Sequence, residues 1–106
     1  MSLLNIPTPQ NKEAEFEVLG CLINNSSDPE NDVFDLVNED DFYGLHNKAT
    51  YQAVRELRNS NQEVNHFTVM NILKQRKDLD GQVINASLFG YSHHKEAAIF
   101  FINQLK

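Results

Sequence analysis

Few side chains in these 106 residues have a type and spacing that could do chemistry. Glu15 is the most unusual of them. At about 100° per residue it falls inside an arc of apolar side chains, Ala14, Val18, Leu19, Cys21, Leu22 and Ile23. A carboxylate in such a place works as a general acid or base only beside a second acid, a base or a metal. No such partner stands at a matching spacing. A structural role is the better reading, with Glu15 in the first helical turn and satisfied by free backbone N–H groups or a neighbouring side chain. His93 and His94 are adjacent, so on a helix they point about 100° apart and do not chelate one ion as an i, i+4 pair does. His46 and His66 lack an acidic or Cys partner at ligand spacing. His46 is better placed to fix the turn after Tyr43 through a hydrogen bond. Cys21 lies on an apolar face, where a thiol is inert packing. None of the four glycines is followed by Lys, so the Gly-rich loop ending in Lys and Ser or Thr that cradles nucleotide phosphates is absent. The sequence therefore offers no catalytic, cofactor-binding or metal-binding residues.

Charge points the same way. The net charge is −6, from nine Lys and Arg against fifteen Asp and Glu. Binding to a phosphate backbone draws on many basic contacts. Arg55, Arg58, Lys74, Arg76 and Lys77 could converge in space, but a solvated mixed-charge surface is the preferred reading. As a recognition helix, only the segment with Lys48, Gln52, Arg55 and Arg58 carries enough basic and amide side chains on one face.

The elements that position these residues are helical. Apolar spacing follows a helical period nearly throughout, and no segment alternates cleanly with period two. The expected first helix runs from Asn11, its cap, to Asn24, with Glu13 near the positive end of the dipole. Residues 1–10 are expected to be an extended or flexible arm, with Pro7 and Pro9 holding the entry extended. After a polar stretch, Asp28-Pro29 reads as a cap and a first helical residue. A short helix follows, carrying Val33, Phe34, Leu36 and Val37, and then an acidic and aromatic turn. The third helix spans His46 to Asn59 and buries Tyr51, Val54 and Leu57, with Ala53 at its edge. Asn65 caps a fourth helix, whose apolar members are Phe67, Val69, Met70, Ile72 and Leu73. Leu79-Asp80-Gly81 makes a turn, and Gln82 to Tyr91 reads as a short helix or an irregular segment. The last helix starts at Ser92. Ala97, Ala98, Phe101, Ile102 and Leu105 share one face, with Phe100 at its flank and Ile99 on the far side. A helix apolar most of the way round is covered on more than one side. The expected architecture is one all-α domain over 1–106, a compact orthogonal bundle of about five to six helices. No apolar run approaches the roughly 18 residues of a membrane span, and no signal peptide is visible, so a cytoplasmic location is the default.

Three stretches carry a family resemblance. Glu13-Ala14-Glu15-Phe16-Glu17-Val18-Leu19-Gly20 opens the first helix. Asp41-Phe42-Tyr43, then His46, leads into Tyr51 and Leu57. Val64-Asn65-His66-Phe67-Thr68-Val69 is followed by Leu73 and Leu79-Asp80. In order and spacing they resemble the N-terminal domain of DnaB-type replicative DNA helicases. The resemblance covers residues 7 to 80. Asn65 stands where that family usually has Asp, and Asn caps about as well. Beyond Asp80 only the outline is followed. The family domain continues into a helical hairpin through which subunits pair, and the chain ends before it. An excised piece and a divergent phage or plasmid version both fit that end.

The resemblance implies a non-catalytic collar domain that supports self-association within a hexameric helicase and helps dock primase or a loader protein. ATP and Mg would bind only in a separate C-terminal ATPase domain, DNA would be engaged through the parent helicase, and no membrane is involved. Glu13, Glu15, Leu19, Gly20, Asp41, Phe42, Tyr43, His46, Asn65 and Thr68 carry the motif in mainly structural roles. The apolar surplus of the last helix makes Ile99 and Phe100 the candidate subunit or partner contact. A stand-alone helicase-associated regulator or loader-like protein is the alternative, and a helix-turn-helix DNA binder is a further one.

Overall fold

The computed structural model describes residues 9–79 and 94–105. Four α-helices lie among them: α1 (Pro9–Asn24), α2 (Leu45–Asn59), α3 (His66–Lys74) and α4 (Lys95–Leu105). Single 3-10 turns occupy Phe34–Leu36, Glu39–Asp41 and Lys77–Leu79. The chain is all-α, as expected, with no strand among the described residues. Four α-helices stand where five to six were expected. The expected second helix is only a turn and a 3-10 segment, and the region 82–91 lies outside the described residues.

α1 forms the spine. It starts at Pro9, two residues before the expected cap, so Asn11 lies inside the helix. Proline suits a first helical turn, because its fixed φ fits and its missing N–H has no intrahelical partner to lose. This early start moves Glu13 and Glu15 beyond the first turn, which holds no acidic residue. Val18, Leu19, Cys21 and Leu22 are fully buried. Gly20 is buried too.

The segment between α1 and α2 is irregular but tightly held. Asp28 caps a turn rather than a helix: one carboxylate oxygen accepts from Glu30 N–H at 3.1 Å and the other from Asn31 Nδ2 at 2.8 Å. Asp32 accepts from Phe34 N–H at 3.1 Å and opens the first 3-10 turn. Asn38 and Asp41 form a reciprocal capping box over the second. Long-range contacts then fix the segment on α2. The Phe34 and Tyr51 rings stack at 5.4 Å and 6°, and Phe42 and Tyr51 at 5.5 Å and 28°. The Arg58 guanidinium lies 4.4 Å from the centre of the Phe34 ring and bonds Asp32 at 2.8 Å.

α2 buries Ala49, Thr50, Tyr51, Ala53, Val54 and Leu57. Its end is a Schellman stop: Gln62 N–H bonds Leu57 C=O, Asn61 N–H bonds Arg58 C=O, and Asn61 takes φ 57°. Asn is among the few residues that tolerate this left-handed conformation. Asn65 caps α3 in a capping box with Thr68, each side chain meeting the other's backbone N–H at 3.0 Å. Val69 and Leu73 face the core, but Phe67 is 68% exposed. Phe67 lies about 200° round the helix from Val69, which turns this apolar member outward. Leu79 is buried within the last 3-10 turn.

α4 packs mainly against α1. Ala98 and Ile102 are its buried side chains, and Phe101 and Leu105 are partly covered. The inward face is centred between Ala98 and Ile102. Ala97, expected to share it, is exposed. Phe100 is the outward residue at 60% exposure, and Ile99 is the half-buried flank, the reverse of the expected order.

Candidate interaction surface

The motif residues divide into a structural set and a displayed set. Leu19 and Phe42 are core. Glu15 is 3% exposed, and its carboxylate accepts from Asn47 Nδ2 at 2.7 Å, joining α1 to α2. Asn47 is the neighbouring side chain the sequence left unidentified; 32 residues separate the two. His46 does not make the expected bond through Nε2, which is buried and has no partner among the described residues. Asp41 serves in the capping box with Asn38, and Asn65 and Thr68 in theirs. Glu13 is exposed at the surface of α1. The displayed residues are Tyr43 at 70% exposure, Leu45 at 50%, Phe67 and Phe100. Phe100 meets Phe101 edge-on at 5.3 Å.

Of the five residues that could have made a basic patch, the three arginines are paired within the domain. Arg55 bonds Glu39 at 3.0 Å, Arg58 bonds Asp32, and Arg76 bonds Asp78 at 2.6 Å. Arg76 also donates to Gln52 Oε1 at 2.6 Å. The Gln52 amide and the Arg55 guanidinium hold the Glu39 carboxyl below the usual carboxylate range. Arg76 does the same to Asp78. Arg76 thus ties the turn at Asp78 to α2 through Gln52, and Arg55 ties the turn at Glu39 to it. Lys48 comes within 4.0 Å of Asp40. All four side chains that could have made α2 a recognition helix are therefore engaged within the domain. The mixed-charge surface, rather than a DNA-reading face, is what the geometry supports.

An open groove of about 550 Å³ lies where the ends of α1 and α2 meet, lined by Ser26, Ser27, Arg58, Asn61, Gln62, Glu63 and Val64. Its charged groups already have partners: Arg58 has Asp32, and Glu63 accepts from Asn65 at 3.0 Å. Among the described residues no three His, Cys, Asp or Glu side chains gather as a metal site. No helix among them is long and apolar enough to cross a membrane.

No curated protein and no solved structure matches the chain. The family pattern described as the DnaB-like helicase N terminal domain does match, over residues 7–99. The match takes in α1, the aromatic turn before α2, the capping box of α3 and half of α4. The chain belongs to the DnaB-like helicase N-terminal domain family.

Proposed function

We propose that this domain is the non-catalytic assembly and docking part of a replicative DNA helicase, supporting a hexameric ring and receiving primase or a loader protein. The observation that carries the reading is the family match across residues 7–99. The chemistry agrees with it. No phosphate-binding loop occurs in the sequence, and the polar side chains of α2 hold the fold together instead of facing a substrate. ATP and Mg then belong to a separate ATPase domain of the parent helicase, which also makes the DNA contacts, and the work is done in the cytoplasm. The outward apolar residues are the natural contact candidates, with Phe100 central and Ile99 at its flank.

The test replaces both Ile99 and Phe100 with Ser in the parent helicase. The oligomeric state is read by light scattering, and primase and loader binding by calorimetry. Loss of either, with ATPase activity per subunit retained, is the expected result. Unchanged assembly and unchanged binding of both partners would remove α4 from the proposed surface. A parent helicase lacking residues 1–106 that still assembles and binds both would remove the docking role altogether.

A further inference from the structure

We propose that α4 is a releasable strap, one that leaves α1 as a unit while the rest of the domain stays folded, and that the Asn31 side chain is its latch. Three observations lead there. First, α4 is held chiefly by one helix, α1, with Ala98 and Ile102 as its buried side chains. Second, α4 has 11 residues, and helices shorter than about 12–15 residues are marginal in water on their own. Leaving α1 and losing helical structure are then one event, which exposes the α4 amides to solvent.

Third, one of the free N–H groups at the start of α4 is bonded from elsewhere in the chain. Asn31 Oδ1 accepts from Lys95 N–H at 2.9 Å across 64 residues of sequence. Asn31 is itself braced, since its Nδ2 donates to Asp28 Oδ2 at 2.8 Å. Asp28 is tied down in turn by Glu30 N–H. An ordinary cap precedes its helix and travels with it. This bond exists only while α4 is docked, so its whole contribution falls on the docked state. The capping box of α3 is local and has no such effect.

Native-state hydrogen exchange of the whole chain, read by mass spectrometry, tests the proposal. The expected result is that α4 amides exchange faster than those of α2, by an opening that low urea does not accelerate as it does global unfolding. Asn31→Ala should speed exchange in α4 roughly fivefold and leave α2 unchanged, as befits the loss of one helix-end bond. Asp28→Ala, which removes the brace together with the Glu30 N–H bond but leaves the Asn31 side chain, should give a smaller change of the same kind. If α4 and α2 exchange together in the unaltered protein, the strap is overturned. If Asn31→Ala leaves α4 unchanged, or speeds both helices equally, the latch is overturned.

Discussion

α2 carries Lys48, Arg55, Glu56 and Arg58 among its fifteen residues, yet it buries six side chains and anchors turns on both sides. α4 is apolar at seven of its eleven positions, yet two of those side chains are buried and one phenylalanine stands outward. The polar helix is therefore anchored on several neighbours, and the apolar one through a single extensive contact with α1. Its arginines reach back over Phe34 and Tyr51 and bond carboxylates on the preceding turns, so charge and aromatic packing act together. The apolar helix meets one main neighbour, leaving Ile99, Phe101 and Leu105 half-covered and Phe100 outward. Apolar content says how much a helix could bury, and the number of neighbours decides how much it does.

Substitutions around each helix can break this contrast. Phe42→Ala removes a fully buried ring from the stack on Tyr51 and should cost about 3–5 kcal/mol, measured by urea unfolding. A cost near that of a surface change would show that the stack is not what anchors α2. Asn47→Ala leaves the buried Glu15 carboxylate without its partner and should cost about 1–3 kcal/mol. The double variant with Glu15→Ala separates the bond from other losses, since uncoupled effects would simply add.

Acid sharpens the contrast further. Glu39 and Asp78 are held below the ordinary value near 4, so their contribution is present above that pH and is lost as pH falls through their lower folded values. Stability should decline over that acidic window, and Glu39→Gln should flatten the decline. α4 supplies neither group. The smallest effect belongs there: Phe100→Ser should shift the stability of the isolated domain by less than about 0.5 kcal/mol in urea unfolding. A larger loss would mean that Phe100 is part of the domain's own packing.

The sequence made the helices legible wherever the forces are local. α2 was expected from His46 and starts at Leu45, and Asn65 was readable as a cap because its partner Thr68 lies three residues on. The all-α class and the family were legible for the same reason, since period and caps repeat in order. The segment from Asp28 to Phe42 was misread as partly helical. What holds it is Arg58 on Asp32, 26 residues away, and Tyr51 between two phenylalanines, and spacing along the chain does not encode such pairs. Glu15 was correctly suspected of needing a partner, but Asn47 carries no mark of being that partner. Ala97 was misplaced for another reason. On short helices with apolar residues all round, the buried face is chosen by the neighbour and not by the helix. The proposed docking role rests on the family alone, because no side-chain arrangement among the described residues announces it.

Cys21, the single cysteine of the chain, is sealed in the core. A thiol reagent added to intact protein can modify only molecules that have already opened around α1. The protein thus carries its own counter of openings, one irreversible mark per molecule, readable by mass in a crude extract with nothing engineered into it.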